Sequence, residues 1–189
     1  KSNLIKKFLP FNLTKSQQDV VNEINNDLLS KERMFRIVQG DVGSGKTIVS
    51  LLAIANIIES GHQCALMSPT EILAKQHYIL AKKIYRQCDF EVDFLTGKTE
   101  SKYRKKILKN LETGKINLII GTHSLFQKKI NFKKLGLVVI DEQHKFGVKQ
   151  RSELAKKGGD NCDVLLMSAT PIPRTMMMSL YGDMDISKI

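Results

Sequence analysis

The chain has 189 residues, 42% of them hydrophobic, which is enough for one core and about one domain. Its formal net charge of +11 favours polyanionic partners through counterion release, although lysine-rich solvated surfaces share that property. No apolar run approaches the ~20 residues of a membrane-spanning helix, and Cys64, Cys88 and Cys162 form no C-x-x-C pair, which argues against a zinc site or a disulfide framework and suits a reducing cytosol.

The opening residues, KSNLIKKFLPFN, begin on Lys1 rather than Met and carry no signal-peptide pattern. They read as a lead-in, 1–13, of a longer protein, and a helix is expected from about Thr14. Six short apolar runs follow, at 35–39, 64–68, 92–96, 118–121, 137–141 and 164–168. Several are continuous rather than alternating, as in LVVID and VLLMS, and such runs suit parallel strands covered on both faces. Helical patterns lie between most of them. Residues 46–60 are apolar almost all round and should be heavily buried, with Gly61 to close the helix. Residues 71–87 are amphipathic. Residues 99–113 place Tyr103, Ile107 and Leu111 on one stripe, cover the other faces with Lys102, Arg104, Lys105, Lys106 and Lys109, and end at Gly114. The last residues, YGDMDISKI, are expected to carry no structure of their own. Strand–helix alternation predicts an α/β fold, a doubly wound and mainly parallel sheet with helices on both faces, in one domain over 14–189.

The stretch RIVQGDVGSGKTIVS follows the first predicted strand and fits G-x-x-x-x-G-K-[ST]. A polyphosphate needs several backbone N–H groups pointing inward at once, and side chains would block that approach; Gly40, Gly43 and Gly45 remove them. With Asp41, Val42 and Ser44 they form the loop, and the helix behind it offers its positive end. Lys46 would neutralise β and γ oxygens, and the Thr47 hydroxyl could ligate Mg²⁺. A glycine-rich turn with a chance lysine is the bland alternative, disfavoured by the strand before and the buried helix after.

Such a site needs an acid on a neighbouring strand to hold the metal's water shell. Asp141 ends the apolar run LGLVVID and suits that role; Glu142 would orient or deprotonate the attacking water. Alone, the pair would read as a solvated strand end.

The segment DEQH resembles motif II of superfamily 2 helicases of the DExH type. That resemblance implies that Gln143 and His144 couple the nucleotide site to motif III, for which Ser168, Ala169 and Thr170 stand in LLMSATPIPRT. It further implies that Gln17 in LTKSQQ reads the adenine edge, that Phe11 packs against the base, and that SPTEILAKQH, LTG and GTHSLFQ are motifs Ia, Ib and Ic. Pro69, Thr70, Gly97, Thr122 and His123 are then candidates for sequence-independent contact with the nucleic-acid backbone. Taken together, GDVGSGKT, PTEILAKQH, GTHSLFQ, DEQHKFGVKQR and SATPIPRT are most similar to the RecG family of bacterial ATP-dependent DNA helicases, which remodel branched junctions and stalled forks. The resemblance implies a RecA-like P-loop NTPase lobe, ATP and Mg²⁺ as cofactors, DNA as partner, a second RecA-like lobe in cis, a monomer, and a cytoplasmic, nucleoid-associated location with no membrane. It also implies that the wedge domain and the second lobe, with its arginine finger, lie outside these residues, so that the fragment alone is nearly inactive; Arg151 and Arg174 are not assigned that finger. Alternatives are the motor of a transcription-repair coupling factor, a non-motor P-loop switch, and a plain nucleic-acid-binding module.

Overall fold

The computed structural model describes residues 5, 11–127, 129–142, 162–170 and 184–189. Within them the chain runs α1 (Lys15–Leu29), β1 (Phe35–Gln39), α2 (Lys46–Glu59), β2 (Gln63–Met67), α3 (Glu71–Ile84), β3 (Val92–Leu95), α4 (Ser101–Glu112), β4 (Leu118–Gly121), a 3-10 turn (His123–Phe126), β5 (Leu135–Ile140), β6 (Asp163–Ser168) and β7 (Asp185–Lys188). Helix α1 starts on a capping box. The Thr14 hydroxyl accepts the Gln17 N–H at 3.3 Å, and the Gln17 amide oxygen accepts the Thr14 N–H at 3.0 Å.

The strands form one sheet in the order β3-β4-β2-β5-β6-β1-β7, and every neighbouring pair is parallel. All carboxyl ends therefore meet at one edge. Successive strand residues point to opposite faces, so each strand feeds two cores. Val38, Leu66, Ile120, Val139 and Leu165 pack with α1, α2 and α3. Ile37, Ala65, Ile119, Val138 and Leu166 pack on the other face with Ile107 and Leu111 of α4. That two-sided burial is why these strands are apolar without alternation. Helix α2 lies between α1 and strands β2 and β5, and its Val49, Leu51, Leu52 and Ile54 are all buried. The α/β expectation holds, and the six runs match β1 to β6 within a residue or two at each end.

Two expectations are corrected. The tail was expected to be unstructured, but Asp185–Lys188 is β7, the edge strand beside β1. Its buried side chain is Ser187, while Ile186 is only half-buried, so the usual apolar signal is missing. Arg36 anchors it instead: the guanidinium donates to Asp27 at 2.6 Å, to Glu23 at 3.1 Å and to the Ser187 hydroxyl at 2.8 Å. Burial works against that charge, yet the bond and charge of Asp27, with the charges of Asp185 and Glu23, outweigh it and raise the Arg36 pKa. The second correction is Tyr103, which is 60% exposed although it shares a stripe with buried Ile107 and Leu111. Helix α4 packs over β3, the other edge of the sheet, and only its later turns reach the core.

Candidate active site

The phosphate-type loop joins β1 to α2. Gly43 and Gly45 have φ of 84° and 93°, values that favour glycine, and Gly45 is the N-cap of α2 with no side-chain cap. The first amides of α2 are thus left for a ligand. A Cβ on Gly45 would collide with the Gln17 amide nitrogen, and one on Gly40 would lie 2.6 Å from the Ser44 hydroxyl. The Ser44 hydroxyl is itself buried without a hydrogen-bond partner. A cradle kept clear of side chains, an orphaned hydroxyl and a helix N-terminus together fit a polyphosphate. The Lys46 ammonium donates to the Gly40 and Asp41 carbonyls at 2.6 and 2.8 Å, so the loop itself holds it in place. Thr47 is half-buried at the first turn of α2, and Asp41 and Val42 are exposed at the loop tip.

Gln17 is fastened to this loop. Its amide nitrogen donates to the Ser44 carbonyl at 2.8 Å while its oxygen serves the α1 capping box. An amide has two N–H groups and two lone pairs, so one donor and one acceptor remain, the pair that an adenine edge requires. Phe11, nearby in sequence, is 47% exposed.

Asp141 follows β5. It was expected on a strand neighbouring β1, but β6 lies between them, which sets the acid two strand spacings away, about 10 Å. Strand β6 connects the two: the Gly40 N–H donates to the Ser168 carbonyl at 3.2 Å. The Ser168 hydroxyl accepts the Thr170 N–H at 3.2 Å and lies 3.1 Å from the Thr170 hydroxyl, a local turn that begins against the phosphate-type loop. Glu142 has φ of 50°, a left-handed conformation uncommon for such a residue, at a position of predicted chemistry. Gln143 and His144 lie outside the described residues.

Sequence reasoning missed the partner of Asp141. His77, on α3, places its Nε2 2.7 Å from Asp141 Oδ2, and both side chains are about nine-tenths buried. The signal was on hand: His77 is the last residue of the motif Ia stretch SPTEILAKQH, on the buried face of α3 with Ala74 and Ala81, yet that resemblance suggested only contacts to the nucleic-acid backbone.

The remaining candidates sit at the carboxyl ends of β2, β3 and β4. Thr70 is exposed and its hydroxyl accepts the Leu73 N–H at 3.3 Å, capping α3; Pro69 is half-buried. Gly97 and His123 are exposed. Thr122 is buried, and its hydroxyl and that of Ser68 have no hydrogen-bond partner at the ends of paired strands. Ser68 was not among the predicted residues. Among the described residues no group of three or more His, Cys, Asp or Glu could hold a metal ion. Magnesium bound through phosphate oxygens, water and one or two protein oxygens needs no such cluster.

The chain is similar to known proteins over nearly its whole length. The ATP-dependent DNA helicase RecG of Synechocystis sp. is 51% identical over 98% of this chain and 23% of its own length; that of Bacillus subtilis is 50% identical over 97% and 27%. The chain thus spans about a quarter of the length of these relatives. A structure of RecG bound to a three-way DNA junction superimposes with a TM-score of 0.86 at 43% identity, over all of this chain and 25% of that one. The DEAD-box helicase Mss116, bound to ssRNA and UDP-BeF, shares the fold at 21% identity and a TM-score of 0.74, over 99% of this chain and 42% of that one. The DEAD/DEAH box helicase model matches residues 14–179, and the chain belongs to that family.

Proposed function

We propose that residues 14–189 are the ATP-binding first motor lobe of a RecG-type ATP-dependent DNA helicase that acts on branched DNA. The observation that carries this reading is the convergence at one sheet edge of the glycine loop, the Ser168 turn bonded to it and Asp141, with Gln17 bonded to the same loop. The two relatives quoted at about half identity are both RecG proteins, which does not favour the coupling-factor alternative.

In this reading the loop amides and Lys46 bind the triphosphate of ATP, and Gln17 and Phe11 receive the base. Thr47 and Asp141 would hold Mg²⁺, Thr47 directly and Asp141 through its water shell. The metal supplies charge neutralisation at the β and γ phosphates. Glu142 orients or deprotonates the attacking water. Pro69, Thr70, Gly97 and His123 face the DNA backbone, whereas Thr122, expected with them, is 2% exposed and is not given that role; Gln143, His144, Ser168 and Thr170 relay between the two sites. A second lobe in cis closes on the nucleotide and brings the arginine that phosphoryl transfer needs, so these residues alone hydrolyse ATP very slowly. No helix among the described residues is long and apolar enough to cross a membrane; the reading is of a cytoplasmic monomer.

The test is Lys46→Ala in the full-length protein. DNA-stimulated ATP hydrolysis should fall by about 10²–10³-fold, since a donor aimed at developing phosphate charge is removed. Wild-type hydrolysis in that variant would defeat the reading.

A further inference from the structure

His77 closes the motif Ia stretch SPTEILAKQH, yet the nucleic-acid contacts expected of that stretch do not account for its bond to Asp141. Asp141 is 8% exposed, and a carboxylate so placed requires a donor. Lys46 does not provide it, since its ammonium is held by the Gly40 and Asp41 carbonyls. His77 reaches Asp141 from a separate element, α3, and across 64 positions of chain. The backbone of Asp141 is fixed independently, its N–H donating to the Met67 carbonyl at 2.8 Å. Rotation of the carboxyl group is therefore the freedom that remains, and the imidazole removes it. Ala74 and Ala81 lie fully buried on the same face of α3, one turn either side, so the helix sits close to the sheet and the imidazole bridges the gap. A single N–H takes one carboxylate oxygen and leaves the other for the metal side, where a guanidinium fork would occupy both.

We propose that His77 is a positioning residue for Asp141: it fixes the rotation of the carboxylate, so that the aim of the metal-side oxygen follows the seat of α3. The inference rests on the reading of Asp141 as the magnesium acid. Partners of this outer kind orient the groups that hold a metal, and their loss typically lowers metal affinity by about 10–100-fold.

The experiment uses the full-length protein with a non-hydrolysable ATP analogue and Mn²⁺ as a spectroscopic substitute for Mg²⁺. Retention of Mn²⁺ is read by electron paramagnetic resonance, and analogue binding is measured separately without metal. His77→Phe, which keeps volume and removes the donor, should weaken Mn²⁺ by about tenfold or more and leave metal-free binding unchanged. His77→Gln, whose amide reaches the position of Nε2, should restore most of the affinity. His77→Asn, one bond shorter, should not, and this pair decides the matter if the Phe variant fails to fold. Wild-type Mn²⁺ affinity in folded His77→Phe, or equal behaviour of the Gln and Asn variants, overturns the proposal. Failure of the wild type to bind the analogue at all would instead overturn the nucleotide reading beneath it.

Discussion

Gly45 is constrained in two ways at once. It combines a φ of 93° with a missing Cβ that leaves room for the Gln17 amide. Gly45→Ala should destabilise the fold by about 1–2 kcal/mol from the left-handed conformation alone, read as a lower denaturation midpoint, and should also displace Gln17 and lose nucleotide binding. Asp163 makes a different prediction, at the opposite end of the sheet. Burial pushes its pKa up, and the Met34 N–H, donating to Asp163 Oδ1 at 2.8 Å, only partly offsets this. Between its unfolded and folded pKa values the native state binds more protons, so stability is greatest below the unfolded value and falls as pH rises through the folded one. Asp163→Asn keeps an acceptor for Met34 and removes the charge. It should flatten this pH dependence and raise the melting temperature at neutral pH, as checked by thermal denaturation at pH 4 and pH 7. The turn from β1 into α2 that carries Gly40, Gly45, Lys46 and Thr47 was legible in the sequence, because it depends on local spacing. The role of His77 was not, although it closes the motif Ia stretch, because nothing in local spacing names a partner 64 positions away.

At the level of elements, continuous apolar strands and the all-round apolar α2 announced themselves because each is buried on two sides. Strand β7 did not, because side-chain polarity and backbone pairing there point in opposite directions. Its attachment depends on Arg36, which gathers Glu23 and Asp27 from α1 and Ser187 from β7. Arg36→Met removes the cation and strands partly buried carboxylates. A loss of about 2–3 kcal/mol is expected, at the low end for a buried pair because Glu23 and Asp185 reach solvent. Hydrogen exchange should show protection falling first at β7 and the end of β1. Glu23→Gln, which leaves the guanidinium its other partners, should have a much smaller effect.

For the whole molecule, strand–helix alternation revealed the class of fold but not the order of the strands. Spacing alone cannot say that β6 inserts between β1 and β5, since both orders bury the same apolar faces; the misplacement of Asp141 by one strand follows from that. The order also separates local from distant pairings. β3 pairs with β4 and β5 with β6, whereas β1 pairs only with β6 and β7, near the other end of the chain. Distant pairs bear the larger loop-closure entropy and should form late. Ile186→Ala should therefore speed unfolding and leave refolding almost unchanged, with a φ-value below about 0.3 in stopped-flow kinetics.

That placement of β1 has a consequence on the ribosome. Met34, at the entry to β1, is bonded to Asp163, 129 positions later. At typical elongation rates the nascent phosphate-loop strand must wait on the order of ten seconds for both flanking strands to be translated. Throughout that interval it is an apolar segment with two bare edges, a natural client for a chaperone and a site of vulnerability to any ribosome that stalls before residue 163.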